Sequence, residues 1–276
     1  MKFKDKVVII TGASSGIGRQ LSLQLAAQGA WLCLAARHVE RLTALADECE
    51  KLGGRAMAVP TDVGQESQCE NLINKTVEKF GRIDVLINNA GFGIKGSFEE
   101  LPDLDLFKSV IDVNYYGAVY CTRFALPYLK QTKGRIVGVS SILGKIGMSG
   151  STAYCSSKFA MAGFFDVLRL ELKKHKVSVT MIYPGYVVTE FAERMVKPDR
   201  TLQGQEGRKF YTKSMMTAKR CAHIIIKATA RRKRQLIMTS YGVIGVWLNL
   251  LAPRFLDWIL PFISRMNKER IGGGRI

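Results

Sequence analysis

Apolar residues along this chain fall into two alternating patterns. Seven short runs are apolar almost throughout: KVVII (6–10), WLCLAA (31–36), RAMAVPT (55–61), IDVLIN (83–88), RIVGVS (135–140), VSVTMIY (177–183) and QLIMT (235–239). Between them lie stretches with helical spacing near 17–28, 38–52, 66–80, 103–130, 151–174 and 217–230. A strand covered on both faces has no solvent side to alternate with, so runs of this kind predict a parallel sheet under two layers of helix. Strand and helix in steady succession make right-handed βαβ units, and the expected architecture is α/β with a doubly wound parallel sheet.

Two regions break the rhythm. Residues 186–216 form a polar, basic connection of a length that lids and binding elements have. Residues 241–263, YGVIGVWLNLLAPRFLDWILPFI, are strongly apolar although the sheet is already complete. The chain therefore divides into a sheet domain, 1–240, that carries 186–216 as a substrate-binding lid, and an apolar and basic extension, 241–276.

Composition narrows the function classes. With 276 residues, 47% hydrophobic and 23% charged, the chain suits one packed domain. The net charge of +18 gathers late: from Lys197 to Arg234 twelve Lys and Arg face only Asp199 and Glu206. Such a patch attracts nucleic acid, an anionic membrane surface or a phosphorylated ligand. No DNA- or RNA-binding module accompanies it, which argues against nucleic acid. Six scattered cysteines without a C-x-x-C, and three histidines apart from them, argue against a metal site or a disulfide framework. The apolar run before residue 11 is too short for a signal-peptide core, so a cytoplasmic location is expected.

Chemistry enters with T11-G-A-S-S-G-I-G18, placed directly after the first strand and opening the first helix. Glycines at Gly12, Gly16 and Gly18 let the backbone turn tightly beside a diphosphate, whose charge sits at the helix N-terminus formed by Ser15, Gly16 and Ile17. At the end of the second strand an acid would bind the ribose of NAD, but the sequence there is A35-A36-R37-H38. Arg37 offers a planar fork to a 2′-phosphate, with Ser14 or Ser15 adding a hydroxyl, so NADP(H) is favoured over NAD. Y154-C-S-S-K158 puts a phenol and an ammonium one helical turn apart. A cation at that distance stabilises phenolate and is expected to lower the Tyr154 pKa.

The G-x-x-x-G-x-G spacing, N88-N-A-G91, Asn114, V139-S-S141, Y154-C-S-S-K158 and P184-G185 run in the order of the short-chain dehydrogenase/reductase family, which the chain resembles over residues 5–190. The resemblance implies a Rossmann-type fold and hydride transfer between NADP(H) and a carbonyl or alcohol. It makes Tyr154 the proton donor, Lys158 its tuning cation and Ser141 the hydrogen-bond partner of the substrate oxygen. Asn114 would hold a water linking Lys158 to solvent; capping a helix bend is the alternative, and Ser140 is the alternative to Ser141 if the strand register slips. By the same analogy Asp62 and Val63 flank the adenine, Asn88, Ala90 and Gly91 line the ribose side, and Pro184, Gly185, Val187 and Thr189 cradle the nicotinamide end. Cys155 is a small packing residue here. Family members are often homodimers or homotetramers.

Leu143, Ile146, Met148, Tyr186, Phe191 and Met195 surround the expected pocket mouth, and their apolarity points to a hydrophobic carbonyl substrate. The 241–263 stretch is long enough to span a bilayer, but Pro253, Arg254 and Asp257 at its centre make that costly. A bent pair of segments lying in the membrane interface fits better, with Trp247 and Trp258 at headgroup level and R231-R-K-R234, Arg265, Lys268 and Arg270 facing anionic lipid. A subunit interface or a cap over the pocket would hide the same surface. The tail resembles that of family members acting on 3-oxo lipids, 3-ketosphinganine, steroids or retinal. An alternative is an NADP-linked dehydrogenase oxidising a hydroxysteroid or retinol. From another class, a non-catalytic NADP sensor or scaffold would lack part of the Ser, Tyr and Lys set that this chain has complete.

Overall fold

The run Val7–Thr11 forms strand β1, in which every residue is buried. It pairs in parallel with β2 (Trp31–Ala36) on one side and β4 (Val85–Asn88) on the other. β3 (Arg55–Pro60), β5 (Arg135–Val139), β6 (Ser178–Tyr183) and β9 (Gln235–Ile237) complete a seven-stranded sheet of order β3-β2-β1-β4-β5-β6-β9. The computed structural model describes residues 2–208 and 215–261. Strand order reverses between β1 and β4, and in open α/β sheets that crevice at the carboxyl ends is where ligands bind.

Alternation along β1 sets the two layers. Val8 and Ile10 pack with α1 (Gly16–Ala26), α2 (Val39–Lys51) and α8 (Ala218–Ala230), through Leu21, Leu25, Leu42, Leu45 and Ile225. Ile9 faces the other layer, α3 (Glu66–Phe80), α5 (Gly117–Gln131) and α6 (Thr152–Glu171), through Leu72, Cys121 and Phe165. Each such aliphatic side chain contributes about 1.5–3 kcal/mol on burial.

The structure departs from the sequence expectation in two places, the 103–130 helix and the 186–216 connection. The helix expected over 103–130 is α4 (Asp105–Ile111), a π-helical turn at Asp112–Tyr116, then α5. That turn carries Asn114, and π-turns inside α-helices commonly accompany functional sites. The 186–216 connection is partly ordered into regular structure: β7 (Val187–Val188) pairs in parallel with β8 (Met216–Thr217), and α7 (Gln205–Arg208) lies between them. Its residues 209–214 lie outside the described residues. The tail forms α9 (Ser240–Leu251), capped by Thr239 Oγ1 accepting from the Gly242 N–H at 3.3 Å. The chain turns at Ala252, and 253–261 is helical again, with Pro253 at its first position. Arg265, Lys268 and Arg270 lie outside the described residues. Among the described residues no helix is long and apolar enough to cross a membrane.

Candidate active site

At the carboxyl end of β1 the chain turns through Gly12, at φ +65°, where a Cβ would stand 2.8 Å from the Ala90 Cα. A side chain on Gly18 would overlap the Gly12 carbonyl oxygen, so only glycine lets α1 start this close to the loop. Ser15 makes no side-chain cap, and the first turn of α1 carries no acid. The turn is braced from β4. Thr11 Oγ1 accepts from the N–H groups of Asn89 at 2.9 Å and Ala90 at 3.0 Å, and the Asn89 amide donates back to the Thr11 carbonyl at 2.9 Å. Asn88 Nδ2 donates to Thr122 Oγ1 at 3.1 Å, while its buried Oδ1 has no protein partner. A close backbone cradle and an uncapped helix start fit a dinucleotide diphosphate.

Most of the other residues expected around a cofactor follow the carboxyl ends of strands β2, β3 and β6. Arg37 is exposed at the end of β2. Asp62 Oδ1 accepts from the Gly64 N–H at 3.0 Å, and Val63 is buried against Gly117. The Pro184 carbonyl accepts from the Ile142 N–H at 2.9 Å, and the Thr189 side chain rests over Gly16.

Across β5 and α6 lies the proposed proton-handling group. Ser141 Oγ accepts from the Leu143 N–H at 3.2 Å and lies close enough to the Tyr154 phenol to favour its ionised form. Ser140 is turned away: it is buried, and its Oγ donates to the Lys158 carbonyl at 3.2 Å. The register therefore presents Ser141 to the site. Lys158 is buried, its Nζ donating to the Val139 carbonyl at 3.1 Å and lying 5.6 Å from the Tyr154 ring centroid.

Asn114 braces this corner. Its Oδ1 accepts from the Phe92 N–H at 2.9 Å, and its Nδ2 donates to the Phe92 carbonyl at 2.9 Å and to Ser157 Oγ at 3.0 Å. Ser157 in turn donates to the Tyr154 carbonyl at 2.7 Å. Both amide hydrogens are thus spent on holding the Phe92 loop against α6. Asn114 Oδ1 and Lys158 Nζ approach Gly91 from one side, 2.9 and 3.4 Å from where a Cβ would stand.

The expected lowering of the Tyr154 pKa does not occur. Burial pushes the phenol up to about 12, and Ser141 offsets only part of that. Burial also pulls Lys158 down to about 8. The ammonium lies over the ring and is engaged by a carbonyl, so desolvation of both groups outweighs their mutual effect. Cys155 is buried, and burial raises its thiol.

Of the apolar residues expected at the mouth, Phe191 and Met195 meet Tyr154. Phe191 stacks obliquely on Tyr154 at 5.6 Å between centroids, and Met195, Phe191 and Tyr154 all close on Gly93. Met148 Sδ lies 4.0 Å from the Tyr186 hydroxyl. Leu143 and the buried Ile146 form the turn after Ser141. Sequence reasoning missed Tyr241. At the start of α9, its hydroxyl presses on Gly185 and accepts the Tyr186 N–H at 3.0 Å. Gly245 seats α9 on Ile146, and Asn249 Nδ2 donates to the Lys145 carbonyl at 3.3 Å. The start of the tail is therefore packed on the Gly185–Tyr186 turn and on the loop that follows Ser141. No local signal announces this, because Tyr241 and Tyr186 are far apart in sequence. Glu190 and Arg194 were also missed, although their i, i+4 spacing was visible.

A family model described as short chain dehydrogenase matches residues 6–200. The 11-beta-hydroxysteroid dehydrogenase-like 4A protein of Arabidopsis thaliana is 36% identical over 256 residues, covering 92% of this chain and 83% of that protein. A dehydrogenase/reductase SDR family protein 7-like of Dictyostelium discoideum is 34% identical over 93% of this chain and 81% of its own length. Among solved structures, the alcohol dehydrogenase of the archaeon Thermococcus sibiricus, complexed with 5-hydroxy-NADP, superposes with a TM-score of 0.74 at 27% identity, over 87% of this chain and 98% of that one. A short-chain dehydrogenase/reductase of Burkholderia phymatum in complex with NAD gives a TM-score of 0.83 at 24% identity, over 92% and 96%.

Proposed function

Because this chain belongs to the short-chain dehydrogenase family and is an oxidoreductase of the NAD(P)-dependent kind, we propose that it uses NADPH to reduce a lipid-like ketone or aldehyde. The observation that carries this reading is the packing of Phe191 and Met195 with Tyr154 over Gly93, with no charged group among them. Hydroxysteroid dehydrogenase names among the relatives support a hydrophobic substrate. Exposed Arg37 at the end of β2, where no acid stands, supports NADP(H) over NAD.

When bound, the nicotinamide cofactor supplies the hydride, with Gly12–Gly18, Asn88–Gly91 and Pro184–Thr189 as the residues that hold it. Tyr154 gives its phenolic proton to the substrate oxygen as negative charge develops there. A phenol kept neutral up to about 12 is loaded with that proton at neutral pH. Ser141 donates a hydrogen bond to the same oxygen and steadies the charge. Lys158, with its pKa near 8, is balanced to return a proton to Tyr154 after each turnover. Asn114, through Oδ1 beside Lys158, positions the water from which that proton comes. The lid residues exclude bulk water from Tyr154.

The same reading places the tail on a membrane surface. Tyr241, Ile244, Trp247, Leu250, Leu251, Phe255 and Trp258 are exposed, and the protein carries a net charge of +18. A wide apolar face on a strongly basic protein suits anionic lipid, which also holds the proposed substrates. The test is NADPH oxidation with a panel of long-chain 3-oxo lipids, 3-ketosteroids and retinals. Turnover of at least one of them is expected, with a loss of at least ~10²-fold in Tyr154→Phe. No turnover with any of them, or an unimpaired Tyr154→Phe, would overturn the reading.

A further inference from the structure

Two guanidinium groups converge on a single carboxylate oxygen beside the phosphate loop. Arg41 Nη1, in the first turn of α2, donates to Glu190 Oε2 at 3.0 Å. Arg194 Nη2 is paired with the same oxygen, and its other nitrogen, Nη1, donates to Ser15 Oγ at 3.0 Å. Arg194 thus bridges an acid in the lid and the hydroxyl at the start of α1, across 179 residues of sequence. Thr189, next to Glu190, rests over Gly16, and Phe191, on its other side, stacks on Tyr154. Burial acts against ionisation of Glu190, but Arg41 and Arg194 outweigh it and hold the carboxyl below its ordinary range.

An oxyanion held by two arginines, adjoining a hydroxyl and a helix N-terminus, is the environment a phosphate group seeks. We infer that Glu190 is an internal stand-in for a cofactor phosphate: it occupies Arg41 and Arg194, and the incoming dinucleotide displaces it and takes both arginines over. The inference rests on the NADP(H) reading above and adds three residues to it. Arg41 and Arg194 are phosphate ligands, and Glu190 is a competitor that weakens cofactor affinity. Because Glu190 lies between Thr189 and Phe191, the displacement also shifts the segment that covers Tyr154. Cofactor binding and exposure of the proton donor are thereby coupled.

Dissociation constants for NADPH and NADH, followed by nicotinamide fluorescence, test this without turnover. Glu190→Gln keeps the shape and removes the competing charge, and it is expected to tighten NADPH binding about five-fold, the scale of an exposed ion pair. Arg194→Ala is expected to weaken it about ten-fold, the scale of a charge-assisted hydrogen bond. In the Glu190→Gln/Arg194→Ala double variant most of the five-fold gain should vanish, because the two act through one contact. Equal losses for NADH and NADPH in Arg194→Ala assign the diphosphate; a loss confined to NADPH assigns the 2′-phosphate. A Glu190→Gln variant that binds NADPH no more tightly than wild type overturns the stand-in. A wild-type protein that binds neither nucleotide fails the NADP(H) reading first, and the stand-in with it.

Discussion

Helices α6 and α9 break the hydrophobic-inside rule in opposite directions. α6 takes a lysine indoors: Lys158 is buried, as Ala153, Cys155, Met161 and Phe165 of the same helix are. α9 leaves its largest apolar side chains outdoors: Gly242 is buried, while Trp247, Leu250 and Leu251 are 58%, 70% and 74% exposed. Neither choice favours the folded protein by itself, since a desolvated ammonium costs free energy and an uncovered tryptophan gains none from burial. The buried cation and the exposed apolar face are therefore the places where the sequence serves something other than stability. On the proposed reading the first serves proton transfer and the second meets a lipid surface.

That contrast can be broken by experiment, and the largest effect is expected at Lys158. Its folded pKa is depressed from 10.5 to about 8, so the unfolded chain binds the extra proton between those values and stability rises with pH across them. Lys158→Met removes this dependence. The stability difference between variant and wild type, from urea unfolding, should therefore move by about 3 kcal/mol in favour of wild type between pH 7 and 10.5. A constant difference would mean that Lys158 is not desolvated. Tyr154 acts in the opposite sense: its pKa is raised to about 12, so its contribution declines above pH 10.

A smaller change is expected where the two regions meet. Tyr241→Phe deletes the acceptor of the Tyr186 N–H and should lower stability by about 1 kcal/mol, seen as a lower urea midpoint. An unchanged midpoint would mean that α9 is not tied to the Pro184–Tyr186 turn through this bond. The least effect on stability, within about 0.5 kcal/mol, is expected for Trp247→Ser combined with Leu250→Ser and Leu251→Ser. That triple variant should nevertheless lose flotation with phosphatidylserine vesicles. Retained flotation would remove the membrane assignment of α9.

Much of the fold was legible because its signals are local. A buried parallel strand must be apolar throughout, and each of the seven runs became a strand, trimmed by a residue or two where the register ends, as at Val85 and Ile237. The same holds for the glycine loop and for the spacing that brings Ser141, Tyr154 and Lys158 together. The π-turn at Asn114 was not legible, because its cause is the paired hydrogen bonding of Asn114 to Phe92 and Ser157, residues from two other segments. Nor was the pKa order of Tyr154 and Lys158. Spacing along a helix gives the distance between two charges, whereas desolvation depends on everything packed around them.

The sequence by itself determined the sheet, the dinucleotide crevice and the reactive side chains, since periodicity, glycine and residue type act over a few positions. Tertiary structure decided what those side chains experience. It spent Ser140 on the Lys158 carbonyl, raised the phenol where a nearby cation alone would have lowered it, clasped Glu190 between Arg41 and Arg194, and set Tyr241 against Gly185. Each of these rests on contacts between segments far apart in the chain, and dielectric, hydrogen-bond competition and steric fit exist only once those segments are packed.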